Sequence, residues 1–151
     1  YNGPLVDIGS GAGLPGMILA VLGFDEVHLV ESNTKKCAFL GEAARITRSP
    51  VKIHNHRSDS AASLPGELSN AGIITARAVA PLTNLLDIVF HFVYDGTCCV
   101  FPKGARVEKE IGAALQNWEF NVERVASRVE PGGVILVLRH VRRRRSRDAR
   151  I

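Results

Sequence analysis

The sequence predicts an α/β domain, a mostly parallel sheet with helices on both faces. Three observations carry that expectation. Short apolar runs of strand length alternate with segments whose apolar residues recur at helical spacing. The first run, Pro4 to Ile8, enters a glycine loop, Gly9-Ser10-Gly11-Ala12-Gly13, and passes directly into Leu14-Pro15-Gly16. The last two runs flank Glu130-Pro131-Gly132-Gly133, a hairpin signal. Four β-then-α units closed by a hairpin give seven strands, one of them antiparallel.

The elements follow in order. Residues 4–8 read as a buried strand, and a helix covers about 14–22, with Pro15 suited to its first turn. The second strand, about 26–31, holds Val27-His28-Leu29-Val30 and ends in Glu31. Ser32-Asn33-Thr34 cap a helix to about residue 47, with Phe39, Leu40, Ala43, Ala44 and Ile46 expected on its apolar side. Pro50 breaks the chain before a third strand, about 51–55. The polar stretch 58–70 contains Leu64-Pro65-Gly66 and reads as a loop with at most one helical turn. A fourth strand, about 71–76, precedes a helix that Pro81 opens and that runs to about 93, burying Leu82, Leu85, Leu86, Val89 and Phe90. Strand five is about 97–101. Residues 105–118 read as helix with Val107, Ile111, Ala114 and Leu115 in one stripe. Strands six (about 119–127) and seven (134–138) complete the chain.

With 151 residues the chain has the size of one domain with a full core. No apolar run reaches the ~18 residues that a membrane helix needs. The chain starts at Tyr1-Asn2-Gly3 without a charged-then-apolar leader. It lacks an initial Met and begins just before the first strand, so preceding sequence is expected to be missing. Cys37, Cys98 and Cys99 do not make a disulfide framework and fit a reducing compartment. His54-Asn55-His56 would place two rings on one strand face. With no cysteine or second histidine pair in support, no metal site is expected.

The net charge is +4, unevenly spread: residues 139–151 carry seven arginines against one acid, leaving the other 138 residues at −2. A terminal arginine run fits contact with a polyanion such as RNA, and equally a solvated tail.

The loop Gly11-Ala12-Gly13-Leu14-Pro15-Gly16 matches G-x-G-x-x-G, and Glu31 lies twenty residues after Gly11, placed to accept from ribose hydroxyls. That pattern also fits a nicotinamide dinucleotide. Asp7, at the end of the first strand, separates the two. A carboxylate at that helix start repels a pyrophosphate and welcomes a cationic ligand end. S-adenosylmethionine carries a sulfonium and an amine and no phosphate, so Asp7 favours it. Ser58 and Asp59 follow strand three, where an acid accepts from an adenine amine; either residue equally fits a helix N-cap.

Strand four ends in Thr75-Ala76-Arg77-Ala78-Val79-Ala80-Pro81. It lacks the Asn/Asp-Pro-Pro-aromatic run used on exocyclic amines, and no cysteine nucleophile stands there. Guanine N7 needs neither, because its lone pair is already nucleophilic and positioning suffices. Arg77 fits a positioning role toward cofactor, phosphate or the guanine O6/N7 edge, and equally a salt-bridged strand end. Arg57 and Lys103-Gly104 add cations to the same edge, suited to RNA phosphates.

Together, the run Asp7 to Gly16 with its Leu14-Pro15-Gly16 ending, the stretch Glu31-Ser32 through Lys35-Lys36 to Phe39-Leu40, Thr75-Ala76-Arg77-Ala78, and Lys103-Gly104 resemble the small-subunit ribosomal RNA methyltransferase G family, also called glucose-inhibited division protein B. The resemblance runs from about Pro4 to Val141. It implies a Rossmann-like class I S-adenosylmethionine-dependent methyltransferase, bacterial and cytoplasmic, that methylates N7 of a guanine in 16S rRNA or the small ribosomal subunit. By the same resemblance Gly9, Leu14, Ser58, Asp59 and Arg77 line the cofactor pocket, Gly11, Gly13 and Glu31 fill general methyltransferase positions, and Arg57 lies near cofactor or RNA. Residues 1–141 are then the catalytic domain of an expected monomer. Residues 142–151 are a basic tail expected to be disordered, with Arg142, Arg143, Arg144 and Arg145 on RNA. Family members carry a helical segment before strand one that this sequence does not contain. A small-molecule methyltransferase and a non-catalytic RNA-binding module with this fold are the rival readings.

Overall fold

The computed structural model describes residues 1–57 and 66–145. It forms one seven-stranded sheet. The strands are β1 (Leu5–Ile8), β2 (Val27–Glu31), β3 (Val51–Asn55), β4 (Ile73–Ala76), β5 (Cys98–Lys103), β6 (Trp118–Ala126) and β7 (Val134–Arg143). Their order is β3-β2-β1-β4-β5-β7-β6, with β7 antiparallel to both its neighbours. The helices are α1 (Gly16–Val21), α2 (Thr34–Thr47), α3 (Leu82–Val89) and α4 (Val107–Ala114). Among the described residues between strands three and four, Gly66–Leu68 forms a 3-10 turn; residues 58–65 of the expected loop lie outside the described residues.

Alternation along β1 explains the layering. Val6 and Ile8 face one side, where they join Leu82, Leu85 and Leu86 of α3, Ile111 of α4 and Trp118 in the larger core. Leu5 faces the other side, with Met17 and Ala20 of α1, Leu29 of β2 and Leu40 of α2. The sheet therefore has helices on both faces, as expected.

Two local expectations are corrected. Along α2 the face toward the sheet is the Leu40, Ala43, Ala44 stripe, and only Leu40 is fully buried. Phe39 and Ile46, one heptad apart, point the other way and are 55% and 67% exposed. The second correction concerns β7, which does not end at Leu138. Between Asn121 and Glu119 the β6 strand advances two residues while its partner advances three, from Arg139 to Arg142. His140, with φ of 54°, is the surplus residue of a β-bulge. The bulge resets the alternation, so burial passes from Leu138 to Val141 and the strand runs on to Arg143. The expected tail boundary moves with it. Arg142 and Arg143 are strand residues, and the backbone N–H of Arg144 donates to the Asn117 carbonyl. Residues 146–151 lie outside the described residues.

Candidate cofactor and substrate site

Strand order reverses at β1, which has β2 on one side and β4 on the other. In open α/β sheets ligands bind at the carboxyl ends of the strands at such a switch point. The glycine loop, Glu31 and Arg77 all leave strands at that edge.

The loop is tied to β2 through its acid. Glu31 is 7% exposed, and its Oε2 accepts from the Gly11 N–H at 2.8 Å while its Oε1 accepts from the Asn33 N–H at 2.9 Å. A carboxylate has about four acceptor sites, so both oxygens keep capacity for ligand hydroxyls. Gly11 sits at φ +56°, and a Cβ there would meet only the Gly9 carbonyl at 3.8 Å. Space stands open over the loop, and Leu14 lies beside it, 42% exposed.

Asp7 is where geometry departs from the expectation. It is 1% exposed and lies beneath the loop rather than open to a ligand. Its Oδ1 accepts from the Thr75 hydroxyl at 2.6 Å and its Oδ2 from the Gly16 N–H at 3.2 Å. Burial raises its carboxyl above the ordinary value of 3.8, against hydrogen bonds from Thr75, Ser10 and Gly16 and the charge of Arg77. Asp7 thus locks β1, β4 and the start of α1 together. It also occupies the first N–H of α1, a donor that a pyrophosphate would need. Gly16 permits this contact, since a Cβ there would lie 2.6 Å from Asp7 Cβ and 2.5 Å from Leu29. The sequence signal for it was the Leu-Pro-Gly ending, which spacing alone did not connect to Asp7.

Beyond the loop, Ala78 turns the chain at φ 54°, a left-handed conformation that costs a non-glycine residue ~1 kcal/mol. The turn leaves Arg77 exposed and folds Val79 back so that its Cγ2 fills the space where Gly9 would carry a Cβ, 2.8 Å away. From there a cleft of about 760 Å³ runs along the ends of β4 and β5, lined by Arg77, Val79, Lys103, Arg106, Lys109 and Glu130 among others. Its size is that of a small-molecule or nucleotide site.

Lys103 is a wall of this cleft with its charge already engaged. Its ammonium is 2.8 Å from Glu110 Oε2 and donates to the Ala80 carbonyl at 2.8 Å. The same Glu110 oxygen accepts the Leu82 N–H at the start of α3. The expected phosphate contact by Lys103 is replaced by a brace joining β5, α3 and α4. Arg57 follows β3 on the same edge and is exposed; Ser58 and Asp59 lie outside the described residues.

The arginine run is not at this site. Because β7 is antiparallel, Val134 pairs with Lys103 at the ligand edge and Arg139 pairs with Cys98 at the opposite one. Arg142, Arg143 and Arg144 lie on that far edge, ion-paired with Asp95 at 2.9 Å, Asp87 at 2.6 Å and Glu119 at 3.6 Å. Arg143 also covers the Trp118 ring at 4.6 Å.

A separate cluster links β2 and β3. His28 Nδ1 and His54 Nε2 are 2.9 Å apart, and with Glu67 they offer ligand atoms within 4.8 Å of one another. The rings are within 7° of coplanar orientation with centroids 5.1 Å apart. That separation exceeds the N···N distance by about two ring radii, so the rings lie end to end. Their nitrogens face each other, as in an N–H···N bond, and do not converge on a tetrahedral ion. Sequence reading grouped His54 with His56 and missed the partner across the sheet.

This strand order, with a glycine loop and a strand-two acid at its switch point, defines a Rossmann-like fold of the class I S-adenosylmethionine-dependent methyltransferase type. The ribosomal protein L11 methylase of Lactobacillus delbrueckii subsp. bulgaricus superposes with a TM-score of 0.70 at 14% identity, over 91% of this chain and 70% of that one. The magnesium protoporphyrin IX methyltransferase of Synechocystis PCC 6803 gives 0.60 at 14% identity, over 90% and 69%. The family model described as rRNA small subunit methyltransferase G matches residues 1–138. The ribosomal RNA small subunit methyltransferase G of Paramagnetospirillum magneticum is 47% identical over 142 residues, covering 94% of this chain and 67% of its own length. That of Rhodospirillum centenum is 43% identical over 137 residues, covering 91% and 61%. The chain belongs to the rRNA small subunit methyltransferase G family. It spans between 61% and 67% of the length of these two relatives.

Proposed function

We propose that this chain transfers the methyl group of S-adenosylmethionine to N7 of a guanine in 16S rRNA, as its family name and fold type imply. The observation that carries the reading is the junction at Val79, where the open glycine loop with Glu31 meets the cleft that begins at Arg77. A donor held on one side and an acceptor held on the other meet at that joint.

The residues present fit the cofactor. Open space over Gly11 accepts a ligand that a side chain would displace. Glu31 retains acceptor capacity for ribose hydroxyls, and Gly9, Gly13 and Leu14 complete the loop around it. Ser58 and Asp59 are proposed for the adenine. When bound, S-adenosylmethionine supplies an electrophilic methyl group on a cationic sulfur. The chain's own task is positioning. Arg77 directs its guanidinium fork at the guanine edge or an adjoining phosphate, and Arg57 supplies a second cation on that edge. No proton must leave guanine N7 before attack, so no general base is required. Orientation alone can lower such a barrier by up to about 7–11 kcal/mol. Asp7 acts through the loop it anchors and not by direct contact.

The test incubates labelled cofactor with small subunits lacking the modification and maps the labelled base. Label on a guanine of 16S rRNA is the expected result. Label on small metabolites alone overturns the reading, and an absence of heat on titration with S-adenosylhomocysteine favours a non-catalytic binding module instead.

A further inference from the structure

We propose that Arg106 and Lys109 grip backbone phosphates of the RNA strand beside the methyl-accepting nucleotide. The inference rests on the reading above and extends it to the wall of the cleft.

Arg106 is the residue before α4 and Lys109 lies one turn on, so both stand on one face of the helix start. Both line the cleft that begins at Arg77. The acids interleaved with them are committed elsewhere. Glu108 is held by Arg124 of β6 at 2.6 Å, with the guanidinium making two hydrogen bonds to it. Glu110 is shared between Lys103 and the Leu82 N–H. Arg106 and Lys109 themselves have no ion pair among the described residues, and neither has Arg77. Glu130 at the rim is the one lining acid outside the brace. The wall of the cleft therefore presents two cations without a carboxylate partner, Arg106 and Lys109, beside the joint where Arg77 stands and the methyl group must pass.

Neutral small substrates have no use for such a wall. A phosphodiester chain does, because each neutralised phosphate releases condensed counterions, and the affinity gained is independent of base sequence. A guanidinium and an ammonium one helical turn apart suit adjacent phosphates of a single strand laid across the cleft, with Arg77 left for the base.

The experiment measures binding of an unmodified 16S rRNA transcript between 50 and 200 mM salt, conditions in which phosphate contacts are resolved. The wild-type protein is compared with R106Q/K109Q and with R142Q/R143Q, which removes equal charge from the far edge. For R106Q/K109Q the dissociation constant should rise roughly tenfold, and the slope of log K against log salt should fall by about 1.4, the value for two single-strand phosphates. Its affinity for S-adenosylhomocysteine should match wild type, which shows that the loop is intact. R142Q/R143Q should stay within about twofold of wild type, because those guanidiniums are already matched by Asp95 and Asp87 on the far edge. Equal losses in both double variants, or none in R106Q/K109Q, overturn the proposal. The salt slope is read without turnover, so a wild-type protein that binds the transcript and methylates nothing overturns the parent reading and not this one.

Discussion

The two edges of the sheet are both basic, and they use their charge in opposite ways. At the far edge Arg142, Arg143 and Arg144 are each matched by an acid, and Arg143 lies over Trp118. At the ligand edge Arg106 and Lys109 are left without an ion pair around a cleft, because Glu108 and Glu110 between them serve other partners. The arginine run is conspicuous in the sequence, but its described members Arg139, Arg142, Arg143 and Arg144 are matched by acids. Two scattered cations, Arg106 and Lys109, are inconspicuous and available. What matters for recognising a polyanion is the charge that folding leaves over.

The strongest way to break this contrast is to close the ligand edge outright. Gly11→Val puts a β-branched side chain at φ +56° and into open space, and should abolish S-adenosylhomocysteine binding by calorimetry while leaving the fold in place. Next comes the brace. Glu110→Ala leaves the Lys103 ammonium, 10% exposed, without its carboxylate and frees the Leu82 N–H; a loss of about 2–3 kcal/mol in denaturant unfolding is expected.

Titration sharpens the contrast further, because one carboxyl at each edge shifts the opposite way. Asp7 is raised by burial, so its contribution is present at low pH and lost as pH rises through the raised value. Asp95 is lowered by its hydrogen bond and charge contact with Arg142, so its contribution is present above 3.8 and lost as pH falls through the lowered value. Thermal melts across the carboxylate range should flatten on the rising limb in Asp95→Asn and on the falling limb in Asp7→Asn. Smaller still is Ala78→Gly, which relieves the left-handed strain at the ligand edge and should stabilise the protein by up to about 1 kcal/mol, offset in part by unfolded-state entropy. Least of all, Arg144→Gln at the far edge removes a 3.6 Å exposed pair and should change stability by less than about 0.5 kcal/mol.

Residue type and local spacing made much of the fold legible. The glycine loop, Glu31 at a strand end and Asn33 as a cap each follow from a short window, and Asn33 does accept the Lys36 N–H. What escaped depends on segments far apart in the chain. Thr75 meets Asp7 across 68 positions, and Glu110 meets Leu82 across 28. Nothing near Asp7 announces Thr75, so Asp7 was read as open to a ligand; Lys103 was read as open to RNA because its partner Glu110, seven positions on, lies in a different element that only packing brings back onto it. The α2 face was misjudged for a different reason. Its apolar residues nearly encircle the helix, and the pattern does not say which side meets the sheet. His28 sits in an apolar strand with no local cue to His54, whose ring only the β2–β3 register brings alongside.

The bulge at His140 makes β7 tolerant at one point and intolerant just before it. Excising His140 would turn the strand end into regular pleat, leaving Val141 on the inward side and the arginines on their present edge. Excising any single residue between Val134 and Leu138 would instead turn the remaining half of the strand inside out. Indels among natural homologues should therefore gather at this one position of the strand and spare its first half.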